Sequence, residues 1–272
     1  MKRGLESFSA IQVAEYRLFI SAIALFPFAF KQINKFPFWN KKMLAISFVA
    51  FFGNLLPAIL FATAQTKLQS GIVGMLNSLV PVFTIVIGAV FFSILPKQKQ
   101  VVGVFIGLIG AVVLIFGSTQ IGLIGVPISY SLMVVAATIG YGISVNTIKS
   151  WLQNMPAIQI TSFAFFMLLP FMTIGLIANG FFQTASIPEN HLNLVYLTIL
   201  GVLGTAGALL LFNQLIKYTS AVFASSVTYM IPVVATLWGL FDGEELNLFH
   251  GIGFGLILFG VYIINAVRKR KN

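Results

Sequence analysis

A chain of 272 residues that is 58% hydrophobic and only 8% charged cannot assemble a water-soluble surface, since an ordinary globular domain is about 25% charged. The formal net charge of +10 sits in short segments between apolar runs instead of along one exposed face, which sets nucleic-acid binding aside. Cysteine is absent, which removes any disulfide framework and any thiol chemistry.

The N-terminus does not read as a cleavable signal, because Met1, Lys2 and Arg3 lead into a polar, acidic segment and then a span too long for a signal's apolar core. Charged loops, Pro and Gly divide the rest, and helices are expected near 10–30, 43–65, 71–95, 101–118, 124–148, 157–179, 192–216, 219–241 and 249–267. A bilayer core needs about 20 apolar residues per helix. Barrel strands would alternate polar and apolar residues, and 101–116 does not. Helices remain as the way to satisfy the backbone in lipid. The expected fold is an all-α polytopic membrane protein of about nine transmembrane helices.

Basic residues are retained on the cytoplasmic side. One set of alternate loops holds Lys31, Lys35, Lys41, Lys42, Lys97, Lys99, Lys149, Lys217 and the basic tail 268–271. The other holds only Lys2, Arg3, Arg17 and Lys67, with every acid of the chain. This asymmetry expects the C-terminus in the cytoplasm, the N-terminus outside, and an odd number of spans.

Two internal matches recur in the same order. Lys2, Leu5 and Ala10-Ile11-Gln12 align with Lys149, Leu152 and Ala157-Ile158-Gln159. Val80-Pro81-Val82 with Gly88 aligns with Ile231-Pro232-Val233 with Gly239, followed by Gly103 and Gly110 against Gly253 and Gly260. A helix precedes Lys149 but none precedes Lys2, so the first repeat, 1–118, is expected to lack its first helix, while the second, 119–272, has five. An odd number of helices per repeat inserts the second upside down relative to the first.

These residues resemble the drug/metabolite transporters with EamA-type repeats. The resemblance is carried by Lys2, the Tyr16-Arg17 pair opening the next helix, Pro27 near its end, Pro81 and Pro232, and Gly243-Glu244-Glu245 ahead of Gly253 and Gly260. It covers essentially the whole chain. It implies two inverted repeats (four helices plus five here), a central cavity between the halves, alternating access and, most commonly, export of a metabolite or drug-like molecule from a bacterial cytoplasmic (plasma) membrane. The chain departs from the pattern in the absent first helix and in Leu95-Pro96-Lys97, where a Gly-Glu pair is usual.

A carrier needs polar groups at membrane depth and helices that can break there. Pro81 and Pro232 each lack an N–H and clash with the carbonyl four residues back, freeing backbone acceptors at Asn77 and Thr228. Polar side chains unpaired in lipid are costly, so those at membrane depth are expected to face the interior. The candidates for a substrate cavity are Asn54, Asn77, Pro81, Thr84, Tyr141, Asn146, Asn213, Thr228, Tyr229 and Pro232, with Gln214 and Thr236 beside them. The alternative for each is structural: a packing kink, a hydroxyl bonded to its own helix, or an amide joining two helices. Gly103, Gly107 and Gly110, the series Gly201, Gly204 and Gly207, and Gly251 with Gly255 read as faces for close helix approach, and Trp39, Trp151 and Trp238 as interfacial anchors.

No Asp or Glu falls mid-span, so no buried acidic proton switch is expected. His191, His250 and Asp242 form no metal or nucleophile spacing, so no enzyme, cofactor or metal is expected. The expected partners are the lipid bilayer and a small substrate that is neutral, zwitterionic or amphipathic, with a homodimer left open. The competing reading is a structural or regulatory membrane subunit that transports nothing. A channel would need rings of charge or carbonyls at a constriction, which nothing here marks.

Overall fold

The computed structural model describes residues 2–38, 40–68, 70–117, 128–234 and 248–266. Helices account for nearly all of them, and no strand occurs among the described residues. The principal helices are α1 (Ala10–Lys31), α2 (Lys41–Ala64), α3 (Ser70–Asn77), α4 (Val80–Phe92), α5 (Gln98–Gly117), α6 (Ile128–Trp151), α7 (Ala157–Ala178), α8 (Pro188–Tyr218), α9 (Ala221–Val234) and α10 (Leu248–Ala266). Among the described residues six helices are long and apolar enough to cross a bilayer; three shorter apolar helices accompany them. The expected ends at 124–127, 235–241 and 267, with Trp39, Thr236, Trp238, Gly239 and 242–245, lie outside the described residues.

Local chemistry sets the ends. Ser9 and Gln12 form a capping box at the start of α1: Gln12 N–H donates to Ser9 Oγ at 3.2 Å, and Ser9 N–H donates to Gln12 Oε1 at 2.9 Å. Ser220 caps α9, accepting from Phe223 N–H at 3.1 Å. The helix expected over 71–95 is two helices. After Asn77 the backbone tightens, with Leu79 N–H donating to Leu76 O at 3.1 Å, and α4 starts afresh with Pro81 in its first turn, where a missing N–H is harmless. It stops at Ser93, which sits in the left-handed region at φ 54°.

Two other helices carry a π turn mid-course: Phe51–Leu55 in α2 and Val202–Gly207 in α8. The two are separated by the spacing that separates Pro232 from Pro81, and each contains a Gly followed by a small polar residue, Gly53-Asn54 and Gly204-Thr205. In both, that polar side chain donates to the carbonyl five residues earlier: Asn54 Nδ2 to Val49 O at 2.9 Å, and Thr205 Oγ1 to Leu200 O at 3.1 Å. A wider turn leaves a carbonyl without its usual N–H, and these side chains replace it.

The chain forms two compact units, and each draws on both sequence halves: Met1–Thr66 with Thr147–Tyr218, and Lys67–Asn146 with Thr219–Asn272. In the first, α1 and α7 run antiparallel along their length. Gln12 Nε2 donates to Asn179 O at 2.9 Å near one end, and Gln159 Nε2 donates to Gln32 Oε1 at 2.7 Å near the other. Gln159 and Asn179 stand from Gln12 and Gln32 at the spacing of Lys149 from Lys2, so the contacts are reciprocal. The core at one end holds Phe8, Val13, Leu176, Phe181 and Leu197, with Tyr16 stacked on Phe181 at 4.7 Å.

In the second unit α5 and α10 are antiparallel and nearly touch by backbone. A Cβ on Gly103 would lie 2.7 Å from Gly260 O, and one on Gly110 would lie 2.9 Å from Gly253 O. Gly253 and Gly260 are the matched positions of Gly103 and Gly110, so this pairing is reciprocal too. The expected close approach at Gly251 and Gly255 is not found among the described residues, where a Cβ at either meets nothing within 4 Å. Spacing alone does not distinguish the face of α10 turned to its neighbour from the opposite face.

Candidate functional site

In the second unit the broken segment between α3 and α4 presents Asn77, only 7% exposed, whose Oδ1 is buried and accepts no hydrogen bond among the described residues. Leaving such an acceptor unpaired costs about 1–3 kcal/mol, so its retention asks for a reason. Thr84, one turn after Pro81, donates its hydroxyl to Val80 O at 2.8 Å. Thr84 O in turn accepts Asn146 Nδ2 at 2.9 Å, and the same nitrogen lies 2.9 Å from Gly142 O. Gly88 makes this amide possible, since a Cβ there would sit 2.9 Å from Asn146 Oδ1. Tyr141, one turn earlier on α6, is half-buried.

The matching segment of α9 breaks differently. Three hydroxyls fold back by three residues: Ser225 to Val222 O at 3.0 Å, Ser226 to Phe223 O at 2.7 Å and Thr228 to Ser225 O at 2.9 Å. A 3-10 turn, Val227–Tyr229, follows ahead of the buried Pro232. Tyr229 is fully buried, and its hydroxyl donates to Val104 O at 2.8 Å. Its ring fills the notch at Gly107, where a Cβ would come 2.7 Å from Tyr229 Cε2. The side chain thereby fastens the break to α5 and keeps no free O–H for a ligand.

In the first unit Asn54, 7% exposed, has its Nδ2 bonded to Val49 O while Oδ1 is buried and accepts nothing among the described residues. Asn213 is buried and donates Nδ2 to Thr161 Oγ1 at 2.9 Å. Gln214, its neighbour, is exposed and not interior as expected, because successive residues of a helix are turned about 100° from one another. The π turn of α8 is braced on α1, where the Ser21 hydroxyl lies 2.7 Å from Gly201 O and 2.6 Å from Arg17 O.

Two features escaped sequence reasoning. The first is Thr205, whose signal was the shared Gly–polar pair at matched positions. The second is Glu15, an acid near the start of α1 whose burial the mid-span survey of carboxylates did not address. It is 8% exposed, with both carboxylate oxygens 3.0 Å from Asn179 Nδ2. Its oxygen packs against Gly175, where any Cβ would collide with it. Glu15 lies in the second turn of α1, which distance from mid-span concealed, since a helix end can be buried by its neighbour.

This pairing makes a stability prediction. Glu15→Gln keeps an oxygen for Asn179 and the same shape, and should melt within about 1 kcal/mol of the parent chain in detergent. Glu15→Leu strands the Asn179 amide and should cost about 1–3 kcal/mol. Equal melting of the two variants would remove the hydrogen bond from the account.

Comparison with known proteins agrees with this architecture. A family model described as the EamA-like transporter family matches residues 1–116 and 128–266. An uncharacterized transporter of Archaeoglobus fulgidus is 30% identical over 210 residues, covering 76% of this chain and 71% of that protein. An uncharacterized inner membrane transporter of Escherichia coli K12, YedA, is 26% identical over 267 residues, covering 96% of this chain and 83% of its own. A solved crystal structure with 15% sequence identity superposes at a TM-score of 0.74 over 98% of this chain and 91% of that one, a likeness of fold.

Proposed function

The chain belongs to the EamA-like transporter family and is an integral membrane transporter, not an enzyme, and from that premise we propose that it exports a small metabolite or drug-like molecule by alternating access. In this reading residues 1–118 and 119–272 are inverted repeats, and the C-terminus lies on the cytoplasmic side of a bacterial plasma membrane. The reciprocal antiparallel contacts of α1 with α7 and of α5 with α10 support inversion, because a two-fold axis in the membrane plane turns matched helices into antiparallel partners.

The observation that carries the reading is the interruption of two matched helices just ahead of Pro81 and Pro232. Broken helices at membrane depth are tolerated where the backbone is buried or lines a water-filled path, and transporters use them to bind and to bend. In this reading Asn77, Pro81, Thr84, Asn146, Thr228, Tyr229 and Pro232, at or packed against these breaks in the second unit, would line the path, with Tyr141 on α6 beside them. Asn54 and Asn213 serve the first. The roles divide by hydrogen bonding: Asn54 and Asn77 hold open acceptors for a ligand, whereas Tyr229 and Asn146 hold helices together.

Flux through liposomes containing the full chain tests this. Saturable transport of at least one compound in a metabolite panel is expected. Asn77→Ala should lower it about tenfold, the effect of losing roughly 1.4 kcal/mol from the rate-limiting step, with the amount of inserted protein unchanged. Flux that never saturates for any compound would favour a structural subunit, and unchanged flux in Asn77→Ala would remove that residue from the site.

A further inference from the structure

At one end of the first compact unit the C-termini of α1, α6 and α8 meet the N-termini of α2 and α7, and contacts tie them together. Gln32, just past α1, accepts from Gln159 in the first turn of α7. Trp151, the last residue of α6, stands edge-on to Phe48, two turns into α2, at 6.2 Å. Lys149 Nζ donates to Ile216 O at 3.2 Å and to Lys217 O at 3.3 Å, and Gln153 Nε2 donates to Lys217 O at 3.1 Å. The end of α8 is thereby fastened to the end of α6. Lys31, Lys35, Lys41, Lys42, Lys149 and Lys217 all stand at this end, whereas the unit's acids, Glu6, Glu15 and Glu189, lie toward the opposite ends of α1 and α8.

The connector between α1 and α2 is held in one shape. Lys35 N–H donates to Gln32 O at 2.8 Å, Phe36 N–H to Ile33 O at 2.9 Å and Phe38 N–H to Phe36 O at 2.9 Å. Phe36 is buried, edge-on to Phe163 at 5.0 Å and to Phe166 at 5.9 Å, and its ring lies 4.6 Å from that of Phe38. On this frame Lys31, Lys35, Lys41 and Lys42 are exposed, and beside them Phe30, Phe38, Trp151 and Tyr218 are exposed as well. Aromatic rings at the ends of membrane helices sit at headgroup depth, so lysines set among them stand where lipid phosphates lie. Orienting a chain in the bilayer asks only that cations be present on one side; it does not ask that they be fixed on a packed, hydrogen-bonded frame.

We propose that this end of the first unit is a docking surface for anionic phospholipid headgroups, with Lys31, Lys35, Lys41 and Lys42 facing the phosphates and the exposed rings set at the boundary with the acyl chains. An ammonium offers donors and no acceptor, so a headgroup of net negative charge suits the surface, while the choline of a zwitterionic headgroup adds a second cation to it. Such binding needs the chain in a membrane and does not need transport, so lipid binding and flux can fail separately.

The test measures equilibrium binding of labelled phosphatidylglycerol and phosphatidylcholine, with matched acyl chains, to the purified full chain in neutral detergent. At low salt the anionic lipid should bind about tenfold more tightly or better. Raising the ionic strength from about 0.01 M to about 1 M, which cuts the Debye length from about 30 Å to about 3 Å, should remove most of that preference. Lys41→Gln combined with Lys42→Gln should lower the preference about fivefold or more. Lys97→Gln combined with Lys99→Gln removes the same charge from the second unit and should leave it within about twofold. Both pairs are exposed, so neither double variant empties a packed site. Equal binding of the two lipids by the parent chain overturns the proposal, as does an equal loss in the two double variants, which would make net charge the cause. A preference abolished by excess free glycerol 1-phosphate overturns it too, because the surface would then hold a soluble phosphate instead of a lipid.

Discussion

Gly260→Leu is expected to lose about 3 kcal/mol or more of stability and to leave little folded protein after extraction. A Cβ at this position would stand 2.6 Å from Gly103 O and 2.6 Å from Gly107 N, both backbone atoms. A side-chain tip can rotate aside, but backbone in a helix cannot, so α5 and α10 would have to separate along their whole seam. In lipid no hydrophobic force drives the helices together, and association rests on close packing that glycines permit. Gly251→Leu on the same helix is the control, because nothing among the described residues lies within 4 Å of its Cβ; a change within about 0.5 kcal/mol is expected. Thermal melting in detergent gives both values. Similar melting of the two variants would mean that the glycine seam does not hold the pair.

Tyr229→Ala should cost about 3–5 kcal/mol, the penalty for emptying a buried aromatic site, and should reduce the amount of inserted protein. The ring is fully buried against Gly107. Tyr229→Phe keeps the ring and loses only the hydrogen bond to Val104 O, so about 1 kcal/mol is expected. A low flux in Tyr229→Ala would therefore report lost structure, and the phenylalanine variant is the one that probes transport. If Tyr229→Ala melts like the parent chain, the tyrosine is not the fastener of the α9 break.

Much of the helix layout follows from one-dimensional information. Lipid as solvent, the positions of the principal helices and the breaks near Pro81 and Pro232 all rest on hydropathy and on the missing proline N–H, properties of a residue and its near neighbours. The candidate polar residues were also visible, because polarity at membrane depth is rare enough to notice. Their roles were not. Asn77 and Tyr229 occupy similar places before matched prolines, yet one keeps an unpaired oxygen and the other gives its hydroxyl to a neighbouring helix. That difference depends on what stands opposite, and a lone sequence does not name the opposite residue.

By itself, then, the sequence determined the solvent and most of the helical segments, since both follow from composition or from order along the chain. Tertiary structure alone decided the rest. It selected Gly260 over Gly251 and Gly255 for backbone contact, buried Glu15 against Gly175 and Asn179, and widened α2 and α8 into π turns at Asn54 and Thr205. It also assembled each compact unit from helices of both halves. The physical reason is that burial and hydrogen bonding are relations between residues distant in the chain, while hydropathy and backbone preference are properties of each residue where it stands.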